Sequence, residues 1–316
     1  MKKLLCITFC LVCFGLSSAF GKSNNEVKKI NVASLKGPTS IGLVKMMDDA
    51  DSIYDFKIYV SPSEIVPLIV SGKVDIANIP ANLSSVLYAK TEGKISVINI
   101  NTLGVIYMVG MDGSIKSFND VKGKTIFITG KGATPEYSLN YLLQKNGLKP
   151  EDFRIEYKSE ATEIVAALKA NPDAVGVLPQ PFVTVAVSQI EGLKILMDFT
   201  EEWKKCGGEG SLITGVTVVN NEFLKNNKKL VNKYMKDASS SIEYVNSHAK
   251  EISSSVEKYG IIKASIAEKA IPFCNLKYID GKEMKDQLSK YLNTLFVQDP
   301  KSVGGNLPDD KFYYQK

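Results

Sequence analysis

The chain has 316 residues, 44% hydrophobic and 23% charged, with 39 basic against 34 acidic side chains, one histidine and five cysteines. That balance excludes a nucleic-acid binder, which needs clustered cations: Arg154 is the only arginine, and the lysines are scattered among acids as on an ordinary solvated surface. The length exceeds what one small core usually holds, so two lobes are expected.

At the N-terminus, Met1-Lys2-Lys3, an apolar run from Leu4 to Leu16 and the small residues Ala19 and Gly21 have the three parts of a secretory signal peptide. Cleavage is expected after Gly21. The apolar run is shorter than the ~20 residues of a spanning helix. Its cysteines, Cys6, Cys10 and Cys13, follow side chains too large for a usual lipoprotein site, so a lipid anchor at Cys10 or Cys13 is not favoured. Removing Lys2 and Lys3 leaves 37 minus 34, a net charge of +3. The mature chain is expected to be soluble in the periplasm or otherwise outside the cytoplasm.

The next elements occur twice. An apolar strand at Lys29–Ala33, a Lys36-Gly37 turn and Pro38-Thr39-Ser40 parallel the strand at Lys124–Ile128, the turn Gly130-Lys131-Gly132 and Ala133-Thr134-Pro135-Glu136. Both end in hydroxyls and a proline suited to a first helical turn, with Thr39 and Thr134 as N-cap candidates. Glu64-Ile-Val then starts a helical pattern closed by Asp75-Ile-Ala-Asn-Ile-Pro80, and Glu163-Ile-Val starts another closed by Asp173-Ala-Val-Gly-Val-Leu-Pro179. In each, sixteen positions separate the glutamate from the proline. A strand, crossover helix and strand, repeated, is the pattern of two related α/β lobes.

Further strands are predicted at 56–60, 95–100, 105–110, 155–158, 195–199 and 215–219, with helices at 83–90, 137–146 and 182–189. Their continuous apolar runs favour a largely parallel, buried sheet in each lobe. After Asn220, helices with polar faces are predicted over 222–246, 248–259, 265–270 and 282–295, packing back on the first lobe. The lobes are therefore expected at 22–105 with 212–316, and at 106–211. The return crossing holds Cys206-Gly-Gly-Glu-Gly210, which reads equally as a hinge or as a flexible loop. Cys206 and Cys274, the only cysteines left after processing, form no disulfide framework.

In open α/β sheets ligands bind beyond the carboxyl ends of the strands. This singles out Gly37, Pro38, Thr39 and Ser40; Asn82; Asn101 and Thr102; Gly132, Ala133, Thr134 and Glu136; Gln180 and Phe182; and Thr214. Hydroxyls, amides and backbone with one aromatic wall suit a small polar organic ligand. Glu136, if it faces the cleft, suggests a ligand amine or ring N–H, though at a helix start it also favours the macrodipole. Lys36 and Lys131 are read as solvated in preference to anion contacts.

Val32-Ala33 with Gly37-Pro38-Thr39, the strand Asp75–Pro80, the loop Gly132–Glu136, Leu178-Pro-Gln-Pro-Phe182 and the closing helices resemble the SsuA/THI5-like (NMT1-like) substrate-binding proteins of nitrate, sulfonate and thiamine-pyrimidine uptake. The resemblance covers nearly the whole mature chain. It implies the two-lobed type II periplasmic binding protein fold, a hinge closing on ligand, a monomer, and delivery to an ABC permease and its ATPase.

Enzyme motifs are missing. Gly130–Pro135 reads Gly-x-Gly-x-x-Pro, with proline where a dinucleotide fingerprint has its third glycine, and Gly123-Lys124-Thr125 lacks the earlier glycine of a P-loop. His248 falls between two polar helices, and no cysteine or histidine cluster offers a metal site. No catalytic residue, metal or cofactor is assigned. The remaining alternatives are a same-fold enzyme, of pyrimidine-synthase or lyase type, and a ligand-binding module for signalling.

Overall fold

A computed structural model describes residues 29–49 and 52–315. The expected signal peptide lies outside them. The order begins β1 (Ile30–Leu35), α1 (Pro38–Ile41), α2 (Val44–Met47), β2 (Tyr54–Tyr59), α3 (Pro62–Val70), β3 (Ile76–Pro80), α4 (Ala81–Lys90) and β4 (Ile95–Leu103). It continues through β5 (Ile106–Gly110), β6 (Thr125–Ile128), α5 (Thr134–Lys145), β7 (Arg154–Tyr157), α6 (Ala161–Ala170), β8 (Val175–Pro179), α7 (Phe182–Gln189) and β9 (Lys194–Asp198). It ends with α8 (Phe199–Lys205), β10 (Ile213–Asn220), α9 (Asn221–Asn226), α10 (Lys228–Ser247), α11 (Ala249–Lys258), α12 (Ala264–Ala270), β11 (Leu276–Ile279) and α13 (Gly281–Gln298).

Two sheets result. Six strands run in the order β11-β4-β10-β3-β1-β2 and five in the order β7-β6-β8-β5-β9. The duplicated unit is visible in the pairing: β2-β1-β3 and β7-β6-β8 are both parallel, with β1 or β6 central. Each repeated glutamate closes its helix start. Glu64 accepts the backbone N–H groups of Val60 and Ser61, and Glu163 that of Ser159. The isoleucine that follows, Ile65 or Ile164, is fully buried.

The sheets are mixed, where largely parallel ones were expected. The strands flanking each crossing pair antiparallel beside the strand that ends in the repeated proline, with Gly215 opposite Pro80 and Ile106 opposite Pro179. The apolar runs of β5 and β10 disclose burial on both faces but not direction. The predicted helix at 222–246 is broken at Asn227, which leaves helical dihedrals between α9 and α10. The long helices bury one stripe each: Met284, Leu288, Tyr291, Leu292 and Leu295 in α13, and Ile252 and Val256 in α11.

The return crossing is firmly packed. It opens with α8, whose Trp203 is fully buried 4.5 Å from the Tyr141 ring of α5 and 5.7 Å from the Tyr291 ring of α13. This aromatic row belongs to one apolar cluster that runs from Ile65 and Ile79 of the first sheet's half to Ile126 and Val177 of the second. Gly208 lies flat against the indole, where a Cβ would come within 2.3 Å of Nε1. The outward crossing is equally tight, since a Cβ on Gly104 would stand 2.2 Å from Thr200 Oγ1. Cys206 and Cys274 are free thiols.

The chain's end is a strap over the first sheet's half. Ser85 Oγ donates to Val303 O, Tyr88 OH to Asp309 Oδ1, Ser96 Oγ to Lys311 O, and Tyr314 N to Val97 O. Among the described residues no helix is long and apolar enough to cross a membrane. Replacing Gly208 by alanine forces backbone away from Trp203 and is expected to cost about 1–3 kcal/mol. A fall in the urea midpoint, read through the fluorescence of this single tryptophan, checks it.

Candidate functional site

The strand directions bring the two carboxyl edges together. The first edge carries the ends of β1, β3 and β4 and the start of β10, while the second carries the ends of β6, β8 and β9 and the start of β5. Only Gly104 and Val105 separate β4 from β5. Every residue singled out from the sequence lies on one of these edges or on the helix starts just beyond them.

On the first edge, the Gly37 turn (φ 135°) admits Pro38 as the first residue of α1. Gly37 is the N-cap, and Thr39 and Ser40 lie inside the helix with their hydroxyls donated back to Leu35 O at 3.0 and 2.6 Å. The cap expectation for Thr39 is thus corrected. Proline in the first turn places the N-cap two residues before Thr39. The expectation for Thr134 is corrected likewise in α5, where Ala133 is the N-cap and Thr134 the first helical residue.

Asn101 and Thr102 belong to a buried polar network spanning three strands. Thr217 Oγ1 lies 2.7 Å from Asn78 Oδ1 and 2.9 Å from Asn99 Oδ1, so its one proton serves either. Asn101 Nδ2 donates to Asn78 Oδ1 at 3.0 Å and Thr217 Oγ1 at 3.1 Å, and Thr102 Oγ1 donates to Asn101 Oδ1 at 2.9 Å. Asn78 Nδ2 reaches Ala33 O and the Tyr234 hydroxyl of α10, each at 3.4 Å. Gly215 makes room for this group: a Cβ there would fall 2.5 Å from Asn101 Oδ1 and 2.7 Å from the Thr39 methyl. Thr39, Asn101 and Thr102 therefore converge. Thr214 lies beside them, and its buried Oγ1 finds no partner among the described residues.

A second group meets between α4 and α5. Asn82 Nδ2 donates to Ser302 O at 3.0 Å and Gly132 O at 3.3 Å, and Asn82 Oδ1 accepts from Thr134 Oγ1 at 3.3 Å. Tyr291 OH donates to Thr134 Oγ1 at 3.4 Å. Asn82 and Thr134 have no exposed surface, so in this conformation they bond the two halves to each other. Glu136 turns back on its own loop, accepting Gly132 N–H and the Tyr157 hydroxyl. Lys131 stays exposed, with Nζ 5.2 Å from the Tyr157 ring centroid.

A third group lies where α12 packs on α7. Gln180 Oε1 accepts the N–H and hydroxyl of Thr184, holding the first turn of α7. Phe182 joins the apolar cluster that includes Tyr107 and reaches Ile262 and Ile266. In the sequence Tyr107 is one more residue of a predicted strand. It lies opposite Asp198 across the β5–β9 pair, and burial, Asp198 and the neighbouring Cys274 push its phenol up to about 12. The signal was its position two residues beyond the crossing. Asp198 Oδ1 caps α8 at Thr200 N, 2.8 Å away.

His248 is remote, stacked on Tyr244 at 4.1 Å where α10 meets α11. Cavities of about 500 Å³ beside Lys124, Arg154 and Asp173, and of about 250 Å³ beside Tyr54 and Tyr259, lie away from the carboxyl edges.

Known proteins share this architecture. The NMT1/THI5 like family matches residues 55–252, well over half of the chain. The chain belongs to that family. An ABC transporter structure from Parabacteroides distasonis is 23% identical, with a TM-score of 0.75 over 92% of this chain and 99% of its own. The periplasmic aliphatic sulphonate binding protein SsuA from Escherichia coli is 15% identical, with a TM-score of 0.72 over 91% and 92%. The desulfurization enzyme DSZB is 10% identical, with a TM-score of 0.64 over 91% and 97%. No curated protein matches the sequence. The NMT1/THI5-like chain thus has the type II periplasmic binding protein fold, as its motifs implied.

Replacing Asn78 by leucine removes the acceptor that Thr217 and Asn101 share and the Nδ2 donor to Ala33 O and Tyr234, and is expected to cost about 1–3 kcal/mol. Chemical denaturation is expected to show a loss well beyond that of the exposed control Asn171→Leu.

Proposed function

We propose that the chain is an exported solute-binding protein of an ABC importer. It captures one small polar organic ligand between the facing carboxyl edges and delivers it, as a monomer, to a membrane permease and its ATPase. The observation that carries this reading is the pair of like-ordered sheets set edge to edge in an NMT1/THI5-like chain. Export rests on the signal-peptide pattern before Lys22. The two lobes follow the sheets, with boundaries near 105 and 212.

The ligand is held by hydroxyls and amides. Thr39, Thr102 and Thr214 on the first edge and Gln180 on the second supply hydrogen-bonding groups, with Phe182 and Tyr107 as aromatic walls. Gly37, Pro38 and Ser40 shape the first loop, and Asn101 sets the Thr102 hydroxyl. Asn82 and Thr134, with Gly132, Ala133 and Glu136, close the other side. The buried amide network beneath the first edge holds its dipoles in place before ligand arrives, which reduces the ordering cost of binding.

DSZB shows that this fold also carries an enzyme, so a same-fold catalyst is the second reading. The side chains here favour binding. Burial pushes the Cys274 thiol up to about 12, far from a reactive thiolate, and His248 is remote. A signalling module would differ only in its partner.

Mature protein from Lys22 onward is expected to take up one small ligand per chain by native mass spectrometry. A ligand at about a hundred times its Kd is expected to add about 2.7 kcal/mol of stability. Chemical conversion of the captured compound would sink the binding-only reading. The pair Asn82→Ala and Thr134→Ala, which removes the contact between α4 and α5, is expected to weaken binding about tenfold or more by titration calorimetry. Unchanged affinity would show that closure does not use this contact.

A further inference from the structure

The carboxyl edges carry the acids Glu136 and Asp198, and among the described residues the cations named from the sequence are either paired with an acid or exposed. Arg154 opens β7 at the opposite, amino edge of its sheet, 3.1 Å from Glu156. Lys36 and Lys131 are both exposed on their loops, the latter lying over the outer face of Tyr157. Backbone donors in a glycine turn are the other usual anion receptor. Here that position is filled from within the chain: Gly132 N–H is held by the Glu136 carboxylate, whose second oxygen takes the Tyr157 hydroxyl. An incoming sulfonate would meet a carboxylate where it needs a donor.

The opposite chemistry is present on the other side. Asp198 ends β9 and shares a face with Tyr107, its partner across the strands. One oxygen caps α8 through Thr200 N–H, and a carboxylate has about four lone-pair positions, so acceptor capacity remains. Cys274 and Asn275 border this place from the first sheet's half, since Asn275 Nδ2 donates to Gly104 O at 3.0 Å and Cys274 acts on the Tyr107 phenol. The phenol stays protonated at neutral pH. Phe182, Ile262 and Ile266 belong to the same apolar cluster as Tyr107, so an acidic acceptor adjoins an aromatic and aliphatic wall.

We infer that the ligand carries no anionic group and presents an N–H or ammonium donor to Asp198, with its apolar body against Tyr107 and Phe182. This rests on the binding reading and sets the chain apart from the sulfonate binders that share its fold. The same recognition logic makes Glu136 a lock on its loop instead of a ligand contact.

The test uses mature protein in thermal-shift and calorimetric titrations. MOPS, benzenesulfonate and nicotinate are the anionic probes; nicotinamide, cytosine and benzamidine are the uncharged and cationic ones. Stabilisation confined to the second set is expected. Asp198→Asn keeps an oxygen for the α8 cap and is expected to weaken each hit about tenfold or more, the scale of a charge-assisted hydrogen bond. Tyr107→Ala, which removes the aromatic wall, reads the same place if the Asp198 variant unfolds, and a loss of affinity is again expected. Binding of any anion at comparable affinity overturns the inference and leaves the solute-binding reading standing. Hits indifferent to both substitutions also overturn it. Silence across both sets removes the binding reading for ligands of this size, and this inference with it.

Discussion

Both sheets must accept a strand that returns from the other half, and that strand can pair only at the open side of a β-strand–helix–β-strand unit. Because each crossing leaves one carboxyl edge and enters the other, the returning strand runs antiparallel beside the strand ending in Pro80 or Pro179. From this pairing follows the placement of everything else: β4 and β5 become nearly continuous, the two carboxyl edges meet, and the loops that end the parallel strands face each other. The side chains that matter are positioned by strand direction before any detailed contact is considered. The packing of Gly104 on Thr200 and of Gly208 on Trp203 shows how little room the crossings leave.

The buried network of Asn78, Asn99, Asn101, Thr102 and Thr217 is the costliest element of this design. Five polar side chains sit almost without solvent in the middle of a sheet, and Asn99 Nδ2 finds no partner among the described residues. Apolar residues would pack more favourably there. What the network provides is direction: each amide is oriented by its neighbours, so the group that ends it at the edge has a fixed orientation.

Much of this was legible in the sequence because the duplicated segment carries redundant signals. Glu64 and Glu163 cap helices, Ile65 and Ile164 mark the core, and Pro80 and Pro179 close strands, so two copies corroborate each other. Strand direction was not legible, since the apolar run of β10 looks the same whichever way it pairs. The partnership of Asn82 with Thr134, Ser302 and Gly132 joins residues up to 220 positions apart, which no local pattern can reveal. Tyr107 was missed for a related reason. Its significance lies in the Asp198 and Cys274 that surround it, and those come from other parts of the chain. Hydroxyls beside a proline suggest caps, but here the caps are Gly37 and Ala133, which form no side-chain cap bond, and the threonines fall inside the helices.

The strap that binds residues 302–314 to α4 and β4 has a consequence for how the molecule is made. Strands β5 to β9 lie within one unbroken stretch of chain, so that sheet can assemble as soon as it has emerged. The other sheet needs β1 from the beginning, β10 and β11 from the last third, and the contacts of Lys311 and Tyr314 at the very end. Its contacts span nearly the whole sequence, and such long-range closure is slow. The half that the chain begins first is thus completed only once residues 311–314 have joined it, after the other half is already whole.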